Sequence, residues 1–493
     1  MTKHLDIDTK AMRAKILDLA IQGKLTDQRQ EDGNARDLLK EIQAEKEKLI
    51  KEKKIKKEKP LPEITEEEKP FEIPDSWEWV RLGEVIKPEI SKLPKKSFTY
   101  IDIASINNKS NTIKNAKYLN IGKDKIPSRA RVSVEPGDII FSTVRPYLRN
   151  IAIIPDKGGM SPLVASTGFV PLRAFTGITY RYLFYVSISK YVVGSMTRLM
   201  KGDNSPSCKK SDLLNCPIPL PPLAEQKRIA DKVSTLLAQL DAIDKAYEEY
   251  RELQQAMKAK LLDLAIQGKL TDQRQEDGNA WNLLKEIQAE KEKLIKEKKI
   301  KKEKPLPEIE ADEIPFEIPN NWKWVRINDL FDVARGGSPR PIKAFLTEDI
   351  NGINWIKIGD TEIGGKYIYH VKEKIKPEGL KKSRFVKSGD LLLTNSMSYG
   401  RPYILKTDGC IHDGWLVLSP FVYSLNKEFF YYLISSQYIK REFTKTAVGA
   451  VVKNLNKNKV KAIIIPLPPL AEQKRIVAKL DELLPHLNPG KEP

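Results

Sequence analysis

Cysteine and histidine are scarce in this 493-residue chain, with three of the first and four of the second. Cys208, Cys216 and Cys410 make neither a disulfide framework nor a tetrahedral metal set, so they read as thiols with no special task. His4, His370, His412 and His486 are scattered without ligand spacing, and His412-Asp413 reads as a loop hydrogen bond rather than a metal site or base. No run approaches the ~20 apolar residues that span a bilayer. The opening MTKHLDIDTKAMR has no apolar core of signal-peptide type, which sets the expectation of a reducing cytoplasm. Nucleotide chemistry also lacks its usual letters. There is no Gly-x-x-x-x-Gly-Lys-Ser/Thr loop and no Gly-x-Gly-x-x-Gly turn after a strand, and Gly336-Gly337 is a plain turn. An Asn/Asp-Pro-Pro-aromatic tetrapeptide of amino-methyltransferase type is missing as well. The expectation is a chain without its own catalytic constellation, metal or bound cofactor.

Positive charge is abundant, and its location is informative. The formal net charge is +19. Residues 81–222 hold 22 Lys and Arg against 9 Asp and Glu, and residues 326–469 hold 23 against 13. These two stretches together exceed the whole excess, so the rest of the chain is slightly acidic. Such fields attract phosphate backbones.

The acidic remainder is repeated. PLPPLAEQKRI occurs at 219–229 and again at 466–476, and residues 14–64 return almost letter for letter at 259–309. In the middle, PPLAEQ leads into LDLAIQGKL; at the ends, LDLAIQGKL opens the chain and PPLAEQ closes it. That is the order of a two-module ring cut inside one connector. Residues 223–268 read as one helix, entered after Pro221-Pro222 and ended at Gly268. Its apolar positions alternate four and three: Ile229, Val233, Leu236, Leu240, Ile243, Tyr247, Tyr250, then Met257, Leu261 and Leu264, with Gln254 the one polar interruption. A seam of this kind, roughly 50 Å long, needs a partner helix. The ends of the chain supply one in two pieces, Met12, Ile16 and Leu19 from the first, and Ile476, Leu480, Leu483 and Leu487 from the last. Pro485 stops the closing helix early, so the ring is expected to close incompletely. A second helical arm is expected from about Asp37 to Lys59, and in the copy from Asn282 to Lys304, ending in a solvated Lys/Glu run.

Both basic stretches open alike, FEIPDSWEWVRLGEV from Phe71 and FEIPNNWKWVRINDL from Phe316. Trp77, Trp79, Trp322 and Trp324 read as anchors of each module on its helices rather than as base-stacking rings. Short β-rich runs such as FTYIDIAS, GDIIFST, GDLLLTN and GWLVLS follow, with helical stretches near 179–200 and 426–446. The expected division is a helical region 1–70, a module 71–222, a long helix with arm 223–315, a module 316–469 and a shortened helix 470–493. The class is α+β.

The doubled PLPPLAEQKRI, the long helices, the LDLAIQGKL ends, the IP-x-x-W openings and the GDIIFSTVRPY-like runs resemble the specificity subunits of type I restriction-modification systems. The resemblance covers nearly the whole chain. It implies two target recognition domains of mixed α/β type, separated by antiparallel coiled-coil helices in a pseudo-twofold circular arrangement. Each domain would read one half of a bipartite, asymmetric double-stranded DNA site, with the helices setting the spacer. Two methyltransferase subunits would dock on the chain, forming an adenine-N6 methylase that uses S-adenosylmethionine. Motor-nuclease subunits would add ATP- and Mg-dependent restriction. The alternative is a coiled-coil adaptor binding nucleic acid without sequence preference. Candidate DNA contacts in loop-like stretches are Arg129, Arg131, Arg145, Arg149, Lys201 and Asn204 in the first module, and Arg340, Asn395, Ser396, Arg401, Lys453, Asn454 and Lys457 in the second. Arg145 and Arg401 both sit in Arg-Pro-Tyr, which argues for a structural role at those two positions.

Overall fold

A computed structural model describes residues 7–156, 161–362, 364–395, 399–448 and 454–487, without the side chains of 446–448. The described residues divide into two compact units, one ending at Tyr247 and the other beginning at Glu248. The division falls inside the predicted long helix, which runs unbroken over Leu223–Ile266. Its C-terminus is closed by Gly268 at φ +68°. There Gly268 N–H donates to the Ala265 carbonyl and Lys269 N–H to Leu264, the paired bonds of a left-handed cap. A side chain at Gly268 would also collide with the ring of Pro319, which opens the next module.

In the first unit the N-terminal helix, Thr9–Ile21, lies antiparallel along the start of the long helix. Thr9 Oγ1 donates to Asp244 Oδ1 (2.7 Å) at one end, and Thr26 Oγ1 to Glu225 Oε1 (3.1 Å) at the other. Arg13 bridges Asp241 and Asp244 between them. In the second unit the closing helix, Leu470–Leu483, buries Ile476 and Leu480 in one core with Leu262, Ala265 and Ile266. A short 3-10 turn carrying Pro485 follows.

The seam expectation needs correction at three positions. Met12, Tyr250 and Met257 are 47%, 45% and 47% exposed, so these three seam positions are not buried. Ile16, Ile229, Val233, Leu240, Ile476 and Leu480 are buried, whereas Leu19, Leu236, Ile243, Tyr247, Leu261, Leu264, Leu483 and Leu487 are half-buried. Near the helix end the buried face has moved to Leu262, Ala265 and Ile266, and in the N-terminal copy to Leu17, Ala20 and Ile21. The globular module packs on that side and overrides the heptad register.

Each module begins and ends on one two-stranded antiparallel ladder. Glu78–Arg81 pairs with Pro217–Leu220, and Lys323–Arg326 with Ile464–Leu467, so Trp79 faces Pro219 and Trp324 faces Pro466. The chain therefore leaves a module beside its point of entry and passes straight into a helix. Within the first module are two four-stranded sheets, one centred on Phe98–Ile101 and Leu163–Ser166, the other on Phe169–Ala174 and Ile139–Ser142. The second module has two five-stranded sheets, one of them carrying Leu391–Thr394 between Trp415–Pro420 and Pro402–Leu405. Helices Tyr180–Ile188 and Lys190–Arg198 in one module, and Lys427–Ser435 and Gln437–Thr446 in the other, complete the mixed α/β composition.

The arm is shorter than its Lys/Glu run suggests. The helices end at Lys51 and Lys296, and Lys53 (φ 56°) and Lys298 (φ 58°) turn left-handed just beyond. Lys54 N–H then returns to Leu49 and Lys299 N–H to Leu294, again closing the cap. Ile55 and Ile300 fold back onto the hydrophobic cores, so tertiary burial wins over helix propensity.

Candidate nucleic-acid interface

Each module is fixed to its helices by the same buried polar lock. Trp77 Nε1 donates to Glu225 Oε2 (2.7 Å), in the first turn of the long helix, and Gln28 Nε2 to Glu225 Oε1 (2.6 Å). In the other unit, Trp322 Nε1 and Gln273 Nε2 donate to Glu472 at 2.7 and 2.5 Å. Burial pushes both glutamate carboxyls above their usual pKa, against the opposing hydrogen bonds. Two of the tryptophans are thus anchors. The other two, Trp79 and Trp324, pack against Phe71 and Tyr191, and against Phe316 and Tyr438.

Buried arginines tie down the strap between arm and module. The Arg81 guanidinium donates to the carbonyls of Pro62, Glu63 and Asn215 and pairs with Glu68. Arg326 repeats this with Pro307, Glu308, Ala462 and Glu313. The Arg81 hydrogen bond lowers the Glu68 carboxyl to about 2. Glu68, Glu313 and the two arginine hubs carry no local signal in the sequence, and Glu225 reads there only as an acidic residue at the positive end of its helix. Only the identity of the two copies could have signalled them.

On the first module, five of the six candidate residues come together through backbone hydrogen bonds between loops. Thr143, just past the strand Ile139–Ser142, donates its N–H to Gly168 (3.0 Å) and accepts from Cys208 N–H at its carbonyl (3.1 Å). Thr167 N–H donates to the Arg129 carbonyl, and Arg145 N–H to Pro206. Arg145 Nη2 reaches the Asn204 carbonyl (2.8 Å), and Lys201 bridges Ser207. Arg149 closes the same turn, its carbonyl accepting from Asn111 Nδ2 (3.2 Å). Arg129, Arg145, Lys201 and Asn204 are exposed and Arg149 is half-buried. Arg131 stands apart on the strand Ala130–Val134, exposed, with its Nε on the Ser128 carbonyl. Exposed Arg198 and Lys209 flank the same loops and are not among the candidates, because a helix end and a helix cap look structural in sequence.

The second module repeats the construction with other residues. Asn395, just past the strand Leu391–Thr394, donates its N–H to Gly414 (2.7 Å) and accepts from Leu455 N–H (3.1 Å). It therefore occupies the place of Thr143, with Gly414 for Gly168 and Leu455 for Cys208. Asp413, beside Gly414, holds Ser338 Oγ (2.6 Å) and faces Arg340 (3.7 Å). Arg401 N–H donates to Thr394 Oγ1, while Asn454 adjoins Leu455 and Lys457 begins a short helix. Arg340 and Arg401 are exposed, Asn454 and Lys457 half-buried, and Asn395 is 1% exposed with no described partner for its Oδ1. Ser396 and Lys453 lie outside the described residues. His412 accepts from Gly414 N–H through Nδ1 (2.6 Å), its Nε2 lies 3.3 Å from the Ile358 nitrogen, and burial lowers its pKa. It is a loop-holding ring. Among the described residues no group of His, Cys, Asp or Glu could hold a metal ion.

The Arg-Pro-Tyr echo does not mark one structural position. In the second module Arg401 opens the hairpin strand Pro402–Leu405, and Tyr403 is 2% exposed. The first module places Asn150 at that point of its hairpin, since Ser142 N–H donates to the Asn150 carbonyl. Its own Arg-Pro-Tyr lies earlier, in an exposed turn.

Two stretches, residues 74–250 and 319–491, match the model of the type I restriction modification DNA specificity domain. The chain is 30% identical to the EcoAI specificity subunit of a type I restriction enzyme from Escherichia coli, covering 97% of this chain and 89% of the relative. The EcoEI specificity subunit, also from Escherichia coli, is 28% identical over 96% and 88%. Among solved structures, the HsdS subunit from Thermoanaerobacter tengcongensis is 27% identical, with TM-score 0.53 and coverage of 86% of this chain and 93% of that one. A chain from a type I R-M system solved for its complex assembly and conformational transition gives TM-score 0.60 at 27% identity, over 85% and 93%. Among the described residues no helix is long and apolar enough to cross a membrane.

Proposed function

The chain belongs to the type I restriction modification DNA specificity family, and we propose that its two modules read the two unlike halves of one bipartite DNA site. Sequence-specific recognition of DNA within a restriction-modification complex is its function. The observation that carries the bipartite reading is the shared loop scaffold. Thr143, Gly168 and Cys208 are joined as Asn395, Gly414 and Leu455 are, while the side chains presented around them differ. A fixed frame with changed side chains is what distinct base readout requires, because phosphate contacts position the protein and base contacts specify. The adaptor alternative calls for no such difference between modules.

In this reading the paired helices form an antiparallel coiled coil in a pseudo-twofold ring and set the unspecified gap. Two methyltransferase subunits dock on them and methylate adenine N6 with S-adenosylmethionine, taking the base out of the stack. Motor-nuclease subunits bring ATP and Mg, and this chain itself catalyses nothing. The complex works where the DNA is, in a prokaryotic cytoplasm. The test exchanges residues 71–222 for another such module and maps methylated adenines in cellular DNA. One half of the methylated motif should change and the other stay. A change in both halves, or a continuous palindrome as the motif, refutes the reading.

A further inference from the structure

The first module carries a turn whose backbone is held in a strained conformation. Arg145 (φ 48°, ψ 61°) and Arg149 (φ 53°, ψ 41°) both adopt the left-handed conformation and bracket the single 3-10 turn Pro146–Leu148. Non-glycine residues rarely sit there, and a pair of arginines at both ends of one turn persists only where the surroundings over-determine it. They do so here. Arg145 N–H is held by Pro206, its Nη2 by Asn204, and the Arg149 carbonyl by Asn111 Nδ2. Pro146 is buried, and the helix Lys190–Arg198 packs beneath. What this rigid turn presents to solvent is apolar, since Tyr147 is 48% exposed and Leu148 38%. Leu199, at the end of the supporting helix, is 47% exposed as well. Exposed Arg145 opens the turn, exposed Arg198 adjoins Leu199, and exposed Lys201 lies on the loop bridged through Ser207 to Val144.

An aromatic and a leucine, exposed on a tied-down turn beside guanidinium and ammonium groups, match the chemistry of a bent or partly unstacked duplex. The rings and methyls of bases meet the apolar tip, and the phosphates meet the cations. We propose that Tyr147 and Leu148 form the base-contacting wedge of the first module, with Arg145 and its neighbours on the backbone to either side. This rests on the DNA-reading function and adds the residues by which one half-site is contacted. The Arg-Pro-Tyr of the second module is not its equivalent, since Tyr403 is buried in a strand.

The test uses the full chain assembled with its methyltransferase subunits, and duplexes carrying 2-aminopurine in either half of the methylated motif. Tyr147→Ala should weaken cognate binding on the order of 10- to 100-fold and quench the fluorescence rise in the first half-site only. Tyr147→Phe should behave as wild type, and binding to scrambled DNA and thermal melting should stay unchanged. Wild-type discrimination together with an unaltered Tyr147→Ala variant overturns the wedge alone. Equal weakening on scrambled DNA with looser methyltransferase association also overturns it, making the tip a protein contact. A wild-type complex without sequence preference overturns the reading on which the wedge rests.

Discussion

Removing Glu225 tests how a module is held on its helix. The carboxylate is 1% exposed and accepts from Trp77 Nε1, Gln28 Nε2 and Thr26 Oγ1. Trp77 is itself 2% exposed and meets Tyr182 edge to face, so its N–H cannot turn to water if the acceptor goes. An orphaned buried donor costs about 1–3 kcal/mol, and bonds to a charged acceptor are the stronger kind. Glu225→Ala should therefore destabilise the chain by about 2–4 kcal/mol in urea unfolding followed by tryptophan fluorescence. Trp77→Phe removes the donor instead. In the double mutant the two losses should fall short of additivity by about 1–2 kcal/mol. Glu472 and Trp322 should behave alike, which supplies an internal control. The pH dependence has a definite sign. Burial raises the Glu225 carboxyl above its usual range, so between the ordinary glutamate pKa and the raised one the folded chain holds a proton that the unfolded chain releases. This group's contribution is full below the ordinary glutamate pKa and is lost as pH rises through the raised one. Glu225→Gln should abolish that component of the slope. Additive losses, within about 0.5 kcal/mol, would refute the lock.

Arg81→Ala leaves three carbonyls and Glu68 without their donor and should cost about 3–5 kcal/mol, as should Arg326→Ala; Arg81→Lys should recover little, because one ammonium cannot span the set. With Glu68 held at about 2, wild-type stability from this pair is present above the ordinary glutamate pKa and lost as pH falls towards 2, so acid titration of Arg81→Ala should be flatter there. At the arm–module junction, Arg36 pairs with Glu78 in one unit, whereas Lys323 stands over the Trp281 ring (3.0 Å) in the other. Glu78→Lys alone should cost up to about 1 kcal/mol, and adding Arg36→Trp should restore most of it; no rescue in that pair would sink the interpretation.

Much of the frame was legible because its signals are local. Pro221-Pro222, the four-three apolar spacing and Gly268 place the long helix over Leu223–Ile266, and the IP-x-x-W openings place the entry strands. What failed was decided by tertiary contact. The Lys/Glu arm reads as helix throughout, yet Ile55 and Ile300 gain more by turning back onto the core than the helix gains by continuing. Two Arg-Pro-Tyr strings read as one motif, but hairpin register buries one tyrosine and exposes the other. The tryptophans were recognisable as anchors, though no spacing rule could name Glu225 and Glu472 as what they hold.

The two copies also show which contacts can diverge. Residues 14–64 and 259–309 differ in identity at Ile16/Leu261, Arg36/Trp281 and Asp37/Asn282. The second of these differences faces the module, opposite a position that is Glu78 in one copy and Lys323 in the other. The buried contacts, Trp77 with Glu225 and Arg81 with the strap, are the same in both units. The asymmetry follows from solvation. A half-exposed pair loses little when one partner changes, since water takes its place and a new partner can be found later. A buried donor or charge without its partner costs the full desolvation at once, so both sides would have to change together. The modules can thus vary their loops, and even the rim of their seat, while the buried lock that orients them stays the same.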